Sequence, residues 1–459
     1  MSPTPGASTQ ARPLLSHIRA TLVLGIPLVL AQLAQMMIGV TDTIMLGWLG
    51  TTELAAGTLA FQMFFIFLII GLGFGSAMMP LIANALGRED PQSVRRAARM
   101  GLWVLVGLAL VSMIPLWFTR SVLIWLGQDP ELAQLAQDYM RIGQWSMIPA
   151  FILIGLRSFL TSLERANTVL WITVCTAILN GLLNYAFIFG NWGAPRLEIE
   201  GAAVATLIAN GVAASCALIY VAHSAAARPY ALFTRLWRPD WQALRDICRL
   251  GTPISLSIFA EAGMFSAASL MIGWLGKIPL ASHGIALQIA SVSFMIPLGL
   301  SQAGSVRVGN AAGRKDRAAI GTAGKAAVLL ALMVASVTAM IFYLVPETLI
   351  LLFLRDGNSD ADAVLAYAVP LLYTAAAFQL FDALQVASGG NLRGLQDTKV
   401  PMIIAALSYW VVGMGSAYVF AFLLGWGGVG VWGGLVVGLA VAGLALTYRF
   451  VNRQRYGLV

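Results

Sequence analysis

GIPLVLAQLAQMMIGVTDTIMLGWLGTTELAAGTLAFQ, residues 25–62, lies without a gap over GTPISLSIFAEAGMFSAASLMIGWLGKIPLASHGIALQ, residues 251–288. The offset is 226 residues, and about a third of the paired positions are identical. The register holds as far as NALGRED at 84–90 against NAAGRKD at 310–316, and a weaker echo sets LERANT (163–168) over NLRGLQDT (391–398). Apolar helices resemble one another in composition, but composition alone does not keep a Gly-x-Pro, a GWLG and an Asn-Ala-x-Gly-Arg-x-Asp loop in one register. The chain is a tandem duplication. If six helices separate equivalent positions, an even number, the two halves have the same orientation and are related by a pseudo-twofold axis along the membrane normal. The reading is an all-α integral membrane fold: twelve transmembrane helices in two six-helix bundles around a central cleft.

Composition places these helices in a bilayer. Of 459 residues, 59% are hydrophobic and 10% charged, with mean hydropathy +0.81, whereas soluble domains carry about 25% charged residues. Unbroken apolar runs such as 64–86, 327–345 and 400–424 have the length of a helical span, about 20 residues, and lack the alternation of barrel strands. The first two spans are predicted over 20–46 and 55–83. The expected organisation is a tail at 1–19, an N-lobe at 20–223, a linker at 224–249, a C-lobe at 250–450 and a second tail at 451–459. Residues 1–19 lack the pattern of a cleaved leader. Cys175, Cys216 and Cys248 fall in or beside spans at no metal-ligand spacing, so packing is expected of them.

Basic residues give the orientation, because cytoplasmic loops retain Lys and Arg. With the N-terminus inside, twenty-one of the 28 fall in cytoplasmic segments and only Arg120, Arg141, Arg196, Lys277 and Arg355 outside. Arg393 is counted among the cytoplasmic ones. Arg157 and Arg307 sit in apolar runs near the cytoplasmic ends, from which long side chains can snorkel. Both termini are thus expected in the cytoplasm. The net charge of +8 is accounted for by topology and anionic lipid, and implies no nucleic acid.

Of the 20 acidic residues, three fall inside spans: Asp42, Glu261 and Asp382. An ionisable residue at such depth is costly enough to be functional by default. No Lys or Arg lies within one helical turn of any of them in sequence. A desolvated carboxylate without a cation takes up a proton or retains a metal ion, so each is a candidate coupling site for H⁺ or Na⁺. The duplication shows the halves diverging here: Glu261 overlies Gln35, and Asp42 overlies Ala268. The acids stand two turns apart on nearly one face, about 10 Å along the axis. Candidate companions are Asn180, Asn184 and Thr206 for Asp42, and Gln385, Ser388 and His283 for the C-lobe acids, although His283 reads more readily as a satisfied interhelical histidine than as a proton carrier. Gln35, Phe61, Met63, Phe64, Phe265, Phe294 and Met295 are candidate cavity walls for an amphipathic cation.

The motifs VTDTIMLGWLG, GREDPQSVRRA, the acid in span 7 and FDALQVASGGNLRGLQDTKVP resemble those of the multidrug and toxic compound extrusion (MATE) family, in its NorM-like branch. The resemblance implies a monomeric, cofactor-free antiporter of a bacterial inner membrane that exports drugs and organic cations in exchange for H⁺ or Na⁺. It implies cation and drug binding at Asp42 with Asn180, Asn184 and Thr206, and coupling at Glu261 and Asp382. This chain departs from the relatives that carry a second acid where it has Asn184. A lipid-linked precursor flippase would be expected to show a cationic cavity, whereas the three span residues are acidic. An enzyme finds no support: there is no HExxH or P-loop, and His17, His223 and His283 are far apart in sequence. A channel would conduct in a planar bilayer.

Overall fold

The computed structural model describes residues 14–234, 237–354 and 360–459. Residues 1–13 of the expected tail, with Arg12, and Arg235 and Arg355 of the charge count lie outside the described residues. Among those described, twelve helical segments are long and apolar enough to cross a membrane: α1 Leu14–Leu49, α2 Thr51–Gly87, α3 Pro91–Trp117, α4 Pro130–Ser162, α5 Ala166–Phe189, α6 Glu198–His223, α7 Trp241–Gly273, α8 Lys277–Gly313, α9 Arg317–Leu344, α10 Ala361–Gly394, α11 Lys399–Leu423 and α12 Gly427–Val451. In a bilayer every backbone polar group must be satisfied within the segment, which leaves helices as the open-chain solution. The helices extend past the predicted spans because polar caps carry them on. Asp90, Asp240 and Asp316 accept from backbone N–H groups of the first turns of α3, α7 and α9.

The duplication is visible atom by atom. Arg88 donates to Asn84 Oδ1, and its counterpart Arg314 donates to Asn310 Oδ1. Glu89 and Lys315, the next residues, share a left-handed backbone with φ 55° and 57°. Asp90 and Asp316 then cap the following helix. The same loop has folded twice.

Where the lobes meet, the contacts come in twofold-related pairs. A Cβ on Gly25 of α1 would lie 2.8 Å from Leu300 of α8, and one on its counterpart Gly251 of α7 would lie 2.5 Å from Phe74 of α2, the counterpart of Leu300. Gly73 faces Ser255, and Gly299 faces Val29, again a matched set. On the axis itself Gly87 meets Gly313: a Cβ on either would lie 2.1 Å from the carbonyl oxygen of Asn310 or Asn84. At Gly73, Gly299, Gly87 and Gly313 glycine is needed because backbone approaches the site, whereas Gly25 and Gly251 make room for the Leu300 and Phe74 side chains. Ser255 adds a hydrogen bond across the seam to the Ile70 carbonyl, 3.1 Å.

All of these contacts lie in one half of α1, α2, α7 and α8, the half that carries the basic loops. In the opposite halves of the same helices Gly39, Gly47, Gly57, Gly263, Gly273 and Gly284 meet only their own lobe or open space. The lobes are therefore joined at the basic end, and the cleft lies beyond the join. Arg307 of α8 reinforces the seam: it donates to the His17 carbonyl of α1 at 3.1 Å and meets His17 Nδ1 at 2.9 Å. It reaches the basic end as expected, but ties the other lobe instead of only entering the interface. Outside the spans, Arg96 of α3 pairs with Asp240 ahead of α7.

α11 is wound unusually, with π-helical turns at Leu407–Gly413 and Val419–Leu423. Its neighbour α12 offers Gly430, Gly434 and Gly438 in a four-residue repeat, and Cβ atoms there would lie 2.6, 2.2 and 2.7 Å from the α11 backbone. This close packing accompanies the wide turns and sets Tyr409 inward, where it is 1% exposed.

Two expectations follow. Gly313→Leu cannot be accommodated without separating α2 from α8, so spin labels on R88C and R314C, tight in the parent, should shift to longer and broader distances. An unaltered distribution would show that the seam does not depend on the glycine. The Arg96 hydrogen bond holds the Asp240 carboxyl below its usual range. That stabilisation is complete above about pH 4, the unfolded carboxylate range, and is lost as pH falls through the lower folded value. Asp240→Asn keeps a capping oxygen but not the charge. It should cost about 1 kcal/mol at neutral pH, with the Tm gap to the parent closing in acid.

Candidate functional site

Each lobe buries carboxylate in its own way. In the N-lobe, Asp42 lies seven residues before the end of α1 and accepts a 2.5 Å hydrogen bond from Asn184 Nδ2 of α5. The same nitrogen reaches Asn180 Oδ1, one turn earlier, at 3.3 Å. Asn184 is fully buried and Asn180 is 1% exposed, so both amides are fixed by packing and aimed at the acid. Tyr139 of α4 faces Thr206 of α6, with the Asp42 charge close enough to act on it. Asp42 is thus met by an amide of α5, with Tyr139 of α4 near it and Thr206 of α6 against that tyrosine. Among the described residues, none of the ion pairs includes it. The sequence had named Asn180, Asn184 and Thr206; Tyr139, nearly a hundred residues from Asp42, gave no signal.

In the C-lobe, Glu261 of α7 and Asp382 of α10 come close enough for each charge to act on the other's surroundings. Asp382 is 4% exposed, and its Oδ1 is buried without a hydrogen-bond partner. Gln385, one turn on, meets the Tyr409 hydroxyl, and both acids act on that phenol. Arg393 completes the group. It had been assigned to a loop, but it lies in the last turn of α10, donates to Ser301 Oγ at 3.2 Å and acts on the Glu261 charge. No ion pair within 4 Å forms between them, and the helix runs on three turns past Asp382 to carry the guanidinium inward.

The donor set here is two carboxylates, an amide and a phenol. Hard oxygen donors of this kind suit a proton or a hard cation such as Na⁺. Among the described residues no three His, Cys, Asp or Glu side chains gather to hold a metal ion.

Other candidates are placed elsewhere. Ser388 bonds Thr447 of α12 at 2.8 Å, a tie between helices and not a partner of the acids. His283 is 1% exposed, with Nδ1 accepting from Trp432 Nε1 at 3.1 Å and Nε2 meeting Ser269 Oγ at 2.9 Å. An indole N–H can only donate, so Nδ1 is unprotonated and the ring neutral. Phe265 packs edge-on to Phe378 at 5.9 Å, which in turn meets Trp432 at 5.5 Å. Met63 and Phe64 lie against the N-lobe core, and Phe294 and Met295 are half-buried on α8. Phe61 is 49% exposed and stacks on Phe65 at 5.7 Å. Gln35 is exposed, and its Oε1 accepts from Arg157 Nη1 at 2.9 Å. Arg157 therefore turns inward across the lobe instead of toward the interface.

Known proteins agree with this architecture. Residues 27–186 and 253–419 match the family profile described as MatE, once in each half. The chain is 48% identical over 440 residues to a Rhizobium meliloti protein named "Probable multidrug resistance protein NorM", covering 96% of this chain and 94% of that one. A protein of the same name from Agrobacterium fabrum is 44% identical over 437 residues, at 95% and 94% coverage. Among solved structures, "Crystal structure of MATE in complex with MaL6" superposes with TM-score 0.87 at 23% identity, over 98% of this chain and 100% of that one. "Outward-facing conformation of a multidrug resistance MATE family transporter of the MOP superfamily" gives 0.86 at 23% identity, over 98% of each.

Trp432→Phe removes the donor to His283 while keeping most of the ring packing. A buried hydrogen bond lost from one side costs about 1–3 kcal/mol, so the variant should melt earlier in detergent with its ion dependence of transport unaltered. A changed ion dependence would give His283 more than a packing role.

Proposed function

The chain belongs to the MatE family, and from that premise we propose that it is a secondary multidrug exporter working by alternating access. It exchanges amphipathic organic cations for H⁺ or Na⁺ across a bacterial inner membrane. The basic end is cytoplasmic in this reading, following the distribution of Lys and Arg, and lobes joined there present the cleft to the outside. The NorM relatives named for multidrug resistance support the substrate class.

The single observation that carries the mechanism is the pair of lobe-specific carboxylate sites. Asp42 is met by neutral amides, and Asp382 stands beside Glu261 with an oxygen unpartnered. A carboxylate so held is stabilised by whichever cation reaches it: a proton, Na⁺, or the ammonium of a drug. Competition at one charge is sufficient for exchange, because loading with one cation removes the attraction for the other. For transport the two conformations must differ in affinity for each ligand. The glycine seam supplies a difference between states, since its opening alters how α1, α2, α7 and α8 flank both sites.

Full-length protein in proteoliposomes tests this. An imposed H⁺ or Na⁺ gradient should drive uptake or release of a fluorescent organic cation. Asp42→Asn, Glu261→Gln and Asp382→Asn should each reduce the rate tenfold or more while insertion and melting stay near the parent. Full transport by all three variants would overturn the site assignment, and independence from both gradients would overturn antiport.

A further inference from the structure

Arg157 lies five residues before the end of α4, inside a segment apolar enough to span the bilayer. A cation at such a position ordinarily pairs with an acid. Among the described residues, the ion pairs are Arg96–Asp240, Arg196–Glu198 and Arg449–Asp397, and none includes it. Its hydrogen-bond partner is neutral, the amide oxygen of Gln35 across the lobe on α1, at 2.9 Å. A guanidinium carries five N–H donors in a planar fork, and one amide oxygen does not neutralise its charge.

The other half of the duplication sharpens the anomaly. The position equivalent to Gln35 is Glu261, and there an arginine, Arg393, has a carboxylate on which to act. One lobe answers its arginine with an acid. The other replaces the acid with an amide and leaves the guanidinium without a counter-charge. Gln35 is exposed and Arg157 partly exposed, so neither is sealed in the lobe's core. Asp42 lies seven residues beyond Gln35 on nearly the same face of α1, about 10 Å along the axis. This stretch of the N-lobe is therefore dipolar, with a carboxylate toward one end and a guanidinium toward the other.

We propose that Arg157, oriented by Gln35, binds the carboxylate of zwitterionic amphipathic substrates whose ammonium group is taken at Asp42. Arginine suits this role because its fork matches a carboxylate with two parallel hydrogen bonds, which lysine cannot reproduce. The assignment rests on the reading that substrate enters this stretch of the N-lobe. It adds a selectivity that Asp42 alone does not give, since a purely cationic compound gains nothing from Arg157.

The test uses full-length protein in lipid nanodiscs and one matched pair of ligands, an aromatic amino-carboxylic acid with its charges about 10 Å apart and its methyl ester. The parent should favour the acid over the ester. Arg157→Gln should lower the acid-to-ester affinity ratio at least tenfold, and Arg157→Lys should recover part of it because the charge returns without the fork. The lysine variant also decides the matter if the glutamine variant misfolds: it should reduce the ratio severalfold. Equal losses for both ligands, or an unaltered ratio in both variants, would overturn the role of Arg157 alone. Failure of the parent to bind either compound would overturn the reading that substrate enters there and this assignment with it.

Discussion

The contact of Gly87 with Gly313 on the pseudo-twofold axis is the constraint from which the rest of the arrangement follows. Each glycine sits where a Cβ would run into the carbonyl oxygen of Asn310 or Asn84, so the two lobes meet backbone to backbone. In a bilayer no hydrophobic effect drives helices together, because lipid is as apolar as leucine, and association depends on close packing and hydrogen bonds. Small residues at the twofold positions provide both, with Ser255 bonding Ile70 across the seam. A join of this kind is confined to one half of four helices.

The carboxylates obey the opposite economy. They are held within lobes, not between them, and each lobe moderates the cost of burying charge by different means. Asp42 receives a neutral amide donor, Asn184, which is itself held by Asn180. Glu261 and Asp382 sit near each other and near Arg393, so like charges repel and the arginine offsets only part of that. The two lobes thus surround their acids with different chemistry: amides in the N-lobe, a second acid and an arginine in the C-lobe.

The fold was legible in the sequence because duplication repeats its signature in register: the Asn-Ala-x-Gly-Arg-x-Asp loop, the Gly-x-Pro helices and GWLG are local features whose structure is dictated by nearby residues. The three acids were legible for a different reason, namely that charge in an apolar run stands out at any register. Tyr139, Tyr409 and Arg393 were not. Phenols are ordinary in membrane helices, and Tyr409 turns inward through the π-winding of α11 against the glycines of α12, a consequence of packing that no window of sequence contains. Arg393 was read as a loop residue because it follows Gly-Gly and precedes a turn, yet α10 continues through both glycines. His283 and Ser388 looked like site residues on polarity alone, but their partners Trp432 and Thr447 come from α12, more than fifty residues away in each case.

What separates scaffold from function in this chain is where the twofold symmetry holds and where it fails. It holds at the seam, where Gly25 and Gly251, Gly73 and Gly299, and Gly87 and Gly313 make matching contacts. It fails along the inward faces of α1 and α7, where Asp42 faces Ala268 and Gln35 faces Glu261 in the alignment. A symmetric pair of sites would bind the same ligands with the same affinity in both lobes, and loading either would have the same effect. Moving the acid by two turns makes the lobes chemically distinct while the frame stays common. A change at the seam therefore touches both lobes, whereas a change at an inward-facing residue touches only its own.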